Sequence, residues 1–133
     1  MSKLQVSIVT PEGGVTRREV NSVTAPSKLG EVTILPDHVP LLAELDAGVV
    51  TMRVDNAVDQ YAVSGGFLEV ERDNVLVLAD DALRPEEVDV SASERAITDA
   101  QAELKTLDGY DPAYVKALRR IKKNEARIRV AGN

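Results

Sequence analysis

The apolar residues of this chain change their period once, and that change bounds what it can fold into. Leu4, Val6 and Ile8 alternate with polar neighbours, as in a strand with one buried face. Pro11-Glu12-Gly13-Gly14 is turn chemistry, and Val15 to Ala25 reads as further strand with Val20 and Val23 inward. Pro26-Ser27-Lys28-Leu29-Gly30 reads as a loop. Gly48 to Val54 is β-branched and strand-like. Asp55-Asn56 begins a turn from which Gln60 to Ser64 pairs back. Gly65-Gly66 suggests a bulge or a close backbone approach. Phe67 to Glu71 and Asn74 to Ala79 form a hairpin across Arg72-Asp73. Short strands with turn signals every several residues indicate a sandwich or barrel.

The period lengthens after Pro85. Leu83-Arg84-Pro85-Glu86-Glu87 reads as a linker, and Ser91-Ala92-Ser93-Glu94 as a capping box opening a helix. Ile97, Ala100, Leu104 and Leu107 then recur at helical spacing. Asp108-Gly109-Tyr110 ends the helix, with Gly109 predicted at positive φ. Asp111 caps a second helix and Pro112 takes its first position, where no N–H is missed. Tyr114, Ala117, Leu118, Ile121 and Ile128 make the predicted apolar face. A turn of about four residues favours an antiparallel pair. The expected layout is a β-domain over residues 1–84, a linker over 85–90 and a helical hairpin over 91–133. Narrow, alanine-rich faces leave the hairpin marginal unless it docks.

Charge is divided along the same line. Residues 112–133 hold seven cations against Glu125 alone, a net +6; the rest holds nine basic and 21 acidic groups, a net −12. Lys116, Arg119, Arg120, Lys122, Lys123, Arg127 and Arg129 therefore point to an acidic surface, in this chain or another. No RNP, zinc-finger or helix-turn-helix pattern and no stacking aromatics accompany them, which argues against nucleic acid. Catalytic signatures are absent: no P-loop, no Gly-x-Gly-x-x-Gly, and Ser64 has no histidine base placed near it. One histidine and no cysteine make a zinc site improbable. Asp80-Asp81 and Glu86-Glu87 match no calcium loop and read as solvated surface. No metal, cofactor or catalytic residue is expected. No apolar run approaches the roughly 20 residues of a membrane span, and Met1 to Gln5 lacks signal-peptide features, so a cytoplasmic address is expected.

One stretch stands apart from the other strand signals. Gly30-Glu31-Val32-Thr33-Ile34-Leu35-Pro36-Asp37-His38-Val39-Pro40-Leu41-Leu42 holds the only histidine. Pro36 and Pro40 fix their own φ and push Leu35 and Val39 towards extended backbone, so a short strand runs into a stiff, exposed corner. Gly30-Glu31, Ile34-Leu35-Pro36, His38 and Pro40-Leu41-Leu42 resemble the epsilon subunit of bacterial rotary (F-type) ATP synthases, whose mitochondrial counterpart is called delta. Ser64-Gly65-Gly66-Phe67-Leu68-Glu69-Val70, followed by Asn74 to Asp80, agrees at the family's spacing. The likeness runs from about residue 4 to 84; the family usually has glycine where this chain has Asp37, and beyond residue 90 the likeness is one of layout.

That resemblance implies a ten-stranded sandwich of two five-stranded sheets followed by the two-helix hairpin. It implies a non-catalytic rotor subunit of the central stalk, coupling gamma to the membrane ring of a proton- or sodium-driven synthase. The subunit would be peripheral, at the cytoplasmic face of the bacterial plasma membrane. Glu31 would face the ring loops, with Asp37, His38, Leu41 and Leu42 at the ring and gamma contacts. Arg119, Arg120, Lys122, Lys123, Arg127 and Arg129 would set an extended hairpin against acidic segments of the alpha and beta subunits, braking ATP hydrolysis. Some members bind ATP through Ile or Leu, Asp, two residues, then Arg-Ala; here Asp89 is kept, Ala92 replaces the arginine, and Arg95-Ala96 falls three residues late. Weak or no ATP binding is expected. The alternative is a stand-alone adaptor whose sandwich binds one protein and whose basic hairpin binds an acidic partner.

Overall fold

The computed structural model describes residues 3–132. Ten strands come first: β1 (Leu4–Thr10), β2 (Gly13–Val20), β3 (Ser22–Ser27), β4 (Gly30–Ile34), β5 (Leu41–Leu45), β6 (Gly48–Val54), β7 (Ala57–Val63), β8 (Gly66–Glu71), β9 (Asn74–Ala79) and β10 (Ala82–Leu83). Their pairing makes two five-stranded leaves. One runs β10-β7-β6-β3-β4 and the other β5-β8-β9-β1-β2. The leaves join at one residue pair, Ser27 with Leu45, so hydrogen bonding is continuous round a folded sheet. All ladders are antiparallel except β1 with β9.

Alternation explains which face is inside. Leu4, Val6 and Ile8 of β1 are fully buried, as are Val20, Val23, Ile34, Val50, Met52, Leu68 and Val77 from both leaves. Each such side chain contributes about 1.5–3 kcal/mol by leaving water. The β8–β9 turn has Arg72 at φ 50° and Asp73 at φ 64°, the double left-handed geometry that matches strand twist. Gly66 marks the expected close approach. Its φ is 128°, and a Cβ there would lie 1.9 Å from the Leu78 carbonyl oxygen.

Several local expectations need correction. Val15 to Ala25 is two strands broken at Asn21. Residues 26–30 are not a loop: Pro26 and Ser27 complete β3, Gly30 opens β4, and the turn is Lys28-Leu29. Proline is tolerated because the ladder there uses its carbonyl, which accepts the Asp46 N–H at 3.0 Å. The return strand starts at Ala57 rather than Gln60.

After a single 3₁₀ turn, Pro85–Glu87, come α1 (Val90–Leu104) and α2 (Pro112–Ala131). Ser91 is not the cap. Asp89 is, its Oδ1 accepting the Ala92 N–H at 3.1 Å, and a carboxylate also suits the positive end of the helix dipole. Gly109 does not sit at positive φ and does not end α1. The helix stops at Leu104, where Thr106 Oγ1 donates to the Glu103 carbonyl at 2.9 Å and competes with the helical ladder. Residues 105–111 therefore form a longer connection than expected, leaving Leu107 outside the helix. Asp111 and Pro112 start α2 as predicted, with the Ala113 N–H bonded to Asp111 Oδ1 at 2.9 Å.

The hairpin lies on its own sandwich, with α2 across β6 and β7. Ala126 and Val130 pack on Ala62, edged by Val49 and Val88. The predicted apolar face is rotated. Ala117, Asn124, Ala126 and Val130 are buried, whereas Leu118 is 45% exposed. Small residues are buried because α2 must approach two surfaces, α1 and the sheet, at once.

Candidate functional site

Three places carry the residues singled out by the sequence: the corner after β4, the basic helix α2, and the cleft at the start of α1. The corner is a tight turn. The His38 N–H donates to the Leu35 carbonyl at 3.2 Å, with Pro36 and Asp37 between them. Asp37 has φ 67°. Proline second and positive φ third is the pattern of a type II turn. Aspartate tolerates this geometry, so it serves where the family has glycine. The Asp37 N–H donates to Asp73 Oδ1 at 2.7 Å, tying the corner to the β8–β9 turn. His38 Nδ1 lies 2.6 Å from the Val39 carbonyl. A carbonyl only accepts, so Nδ1 carries the proton there.

The structure groups some of the predicted residues and separates others. Asp37, half-buried His38 and exposed Leu42 lie at or beside this corner, whereas Leu41 packs inward against the sandwich core and is not part of the exposed surface the sequence suggested. Glu31, exposed, lies at the far end of β4, about 10 Å or more away by strand rise. It lines a shallow cleft with Asp46, Lys122 and Arg129 instead.

Beside Leu42, the outer face of the second leaf is apolar. The register places Glu44, Phe67, Leu78 and Val9 in one row, and Leu42, Glu69, Leu76 and Ser7 in the next. Leu42, Phe67 and Leu78 are all largely exposed. The hairpin lies across β6 and β7 of the other leaf, and its Arg119 borders this face, lining a cleft with Glu44 and Phe67. The sequence reading passed over Phe67 and Leu78. Their signal was present in Val75-Leu76-Val77-Leu78, apolar at both parities, as in a strand covered on both faces.

Helix α2 turns Arg119, Lys122, Lys123, Ala126, Arg127 and Val130 toward the sandwich at helical spacing. Lys122 pairs with Asp46. Lys123 and Arg127 both reach Asp81 Oδ2, at 3.4 and 3.2 Å. Asp81 is thus not the solvated surface group the sequence suggested. Arg120 pairs with Glu103 inside the hairpin. Among the described residues, Arg119 and Arg129 form no ion pair. Burial alone would raise the Asp46 carboxyl. Hydrogen bonds from Lys122 and the Ala47 N–H, with the charges of Lys122 and Lys28, outweigh it and hold Asp46 below the usual carboxylate range.

The cleft at the start of α1 is lined by Asp89, Ala92, Arg120, Lys123, Asn124 and Arg127. Asp89 is occupied as the helix cap. Arg95 lines a different surface with Ser91, Glu94, Thr98 and Asp99, so it does not stand in for the missing arginine. Lys123 and Arg127 already serve Asp81. The arrangement fits a phosphate group poorly.

No helix among the described residues is long and apolar enough to cross a membrane. No group of three or more candidate ligands among them could hold a metal ion. The arrangement holds surfaces and ion pairs, which suit assembly rather than bond-making.

Comparison with known proteins agrees. The model of the ATP synthase delta/epsilon chain beta-sandwich domain matches residues 3–85. The ATP synthase epsilon chain of Moorella thermoacetica is 42% identical over 99% of this chain and 98% of its own. That of Halalkalibacterium halodurans is 36% identical over 99% of both chains. A chain in the Euglena gracilis mitochondrial ATP synthase structure (OSCP/F1/c-ring) shares the fold with TM-score 0.85 at 20% identity, covering 100% of this chain and 83% of that one. A chain in the Tetrahymena thermophila central stalk/c-ring structure superposes with TM-score 0.58 at 16% identity, over 98% and 95% of the two chains. The family model covers the sandwich with its glycine-dependent β8–β9 approach, the full-length relatives extend over both helices, and the chain belongs to the delta/epsilon chain family of ATP synthases.

Proposed function

We propose that this chain is the epsilon subunit of a bacterial ATP synthase: a non-catalytic part of the central stalk that couples gamma to the membrane ring and restrains hydrolysis through its helices. The observation that carries this is 42% identity to a bacterial epsilon chain over nearly the full length of both, helices included.

The surfaces support a division of labour. The bare apolar face around Leu42, Phe67 and Leu78, continuous with the His38 corner, is the seat for gamma; desolvating such a face is a strong source of association energy. Glu31, displaced along β4, is left to meet a cation of a ring loop, where an exposed pair adds register more than affinity. The sandwich, residues 1–84, makes these assembly contacts, and residues 91–133 form the movable brake. In the extended form the cations of α2 lie against acidic segments of the catalytic head. The subunit is peripheral, held at the cytoplasmic face of the plasma membrane through the complex.

Cross-linking in the assembled enzyme tests this. Because the chain has no cysteine, Glu31→Cys and His38→Cys introduce unique thiols. The expected adducts are with the ring from residue 31 and with gamma from residue 38. If neither adduct forms in an enzyme that assembles normally, these contact assignments are wrong. If the chain does not co-purify with a membrane ATPase at all, the adaptor reading takes over.

A further inference from the structure

We infer that Asp108 is a site of spontaneous covalent modification: its side chain closes on the Gly109 nitrogen to form a succinimide, and hydrolysis leaves isoaspartate in the connection between α1 and α2. The inference rests on the geometry of that connection and not on the functional reading above.

Asp108-Gly109 is the one place in the sequence where aspartate or asparagine precedes glycine. Ring closure needs an unhindered nitrogen, and glycine has no Cβ to shield it. The space around it is open as well: a Cβ built on Gly109 would meet nothing within 4 Å. Asp108 and Gly109 are exposed, and Tyr110 is 98% exposed. Among the described residues the Gly109 N–H has no hydrogen-bond partner, so no helix or sheet bond must break before it reacts. The electrophile is held in place. Asp108 Oδ1 accepts the Tyr110 N–H at 2.9 Å, which folds the carboxyl over the Asp108–Gly109 peptide and draws electron density from Cγ. Asn21 and Asp73 also sit in tight turns, but their side chains are committed to distant backbone. Asn21 Oδ1 accepts the Asp55 N–H, and Asp73 Oδ1 accepts the Asp37 N–H at 2.7 Å.

The step balances without a redox partner. The Gly109 nitrogen gives up its proton and bonds to Asp108 Cγ. One carboxyl oxygen leaves as water, and a cyclic imide remains. Water then adds to either imide carbonyl. Opening at Cγ restores aspartate. Opening at the Asp108 main-chain carbonyl leaves that carbon as a free carboxylate and carries the chain through Cβ and Cγ, longer by a methylene. In the unmodified chain that same carbonyl accepts the Asp111 N–H at 2.9 Å, and Asp111 caps α2. Isomerisation therefore rebuilds the turn from which α2 starts. The new carboxylate is the group that a methyltransferase specific for isoaspartate esterifies, and the exposed connection is open to such an enzyme.

The test ages the full folded chain at neutral pH and body temperature in heavy-oxygen water, beside an unstructured peptide of the Leu104 to Pro112 sequence. Peptide mapping in ordinary water locates the label, and methylation by an isoaspartate methyltransferase counts the product. Label and isoaspartate should accumulate at residue 108 at a rate comparable to that in the peptide, and faster than at any other aspartate or asparagine of the folded chain. Gly109→Ala puts a methyl into open space, at a backbone angle alanine adopts, so it should keep the parent's unfolding midpoint and lose most of the product. Asp108→Asn should form the product faster, with release of ammonia. Conversion in the peptide but not in the folded chain would overturn the inference, since the fold would then protect the site. Undiminished product in Gly109→Ala, or label spread evenly over the chain's aspartates, would overturn it too.

Discussion

Under the proposed braking role, Arg119 and Arg129, which with Lys116 are the α2 cations without an ion pair among the described residues, separate the docked form of the hairpin from an extended one. Among the described residues neither makes an ion pair while α2 lies on the sandwich. Replacing both by Gln therefore removes no ion pair from the docked form. In the extended form each would lie against an acidic segment of the catalytic head. An exposed pair is worth about 0–1 kcal/mol, so two together contribute about 1 kcal/mol to the extended form alone. That is a factor of about five in the extended-to-docked ratio. The assay is steady-state ATP hydrolysis by the assembled enzyme at low salt and at about 1 M salt. Hydrolysis should rise severalfold in the double variant at low salt. The difference should shrink at high salt, where the Debye length is about 3 Å. A broader replacement that includes Lys122 and Lys123 is less informative, since it weakens both forms at once. Hydrolysis unaltered by Arg119→Gln with Arg129→Gln, in an enzyme whose assembly and synthesis are normal, would refute the reasoning and leave these arginines as solvated surface.

Three further outcomes are expected. Gly66→Ala should destabilise the sandwich by several kcal/mol, because the new methyl meets the Leu78 carbonyl and φ is 128°; an unchanged urea midpoint would contradict the close approach. Hairpin docking should be flat in pH through neutrality and weaken in acid: Asp46 is held below its ordinary 3.8, so its contribution is complete above that value and is lost as pH falls through the lowered one. Distances between spin labels on Asn56→Cys and Glu125→Cys, both exposed positions, followed against pH check this, in a cleft that also holds Lys28, Glu44, Asp80 and Arg119; opening centred near pH 6 would rule out Asp46 as the cause. Calorimetric titration with ATP should show no sub-millimolar binding, because Ala92 stands where the family motif has arginine, Asp89 caps α1, and Lys123 and Arg127 are held by Asp81; sub-millimolar binding would contradict this.

Local chemistry was legible wherever a residue acts on its own backbone or its near neighbours. The alternation of Leu4, Val6 and Ile8 sets one face of a strand by geometry alone, and all three are buried. Arg72-Asp73 is bracketed by apolar runs that can only pair across it. Pro36 and Pro40 restrict torsions directly, so the corner at His38 follows from residue identity. Asp111-Pro112 starts α2 by a hydrogen bond two residues long. Local reading failed where two local signals competed: Ser91 lost the capping position to Asp89, and Gly109 lost the helix end to Thr106. Decisions between distant segments needed the tertiary structure. Ser27 meets Leu45 because the sheet turns back on itself. Lys122 meets Asp46 across 76 residues of chain, and Arg127 meets Asp81 across 46. A helix of known amphipathicity still has a free rotation about its axis. Which of its cations are spent on the sandwich, and which stay free for a partner, is settled only when Ala126 and Val130 seat on Ala62. Sequence periodicity determines that a face exists; packing determines where it points.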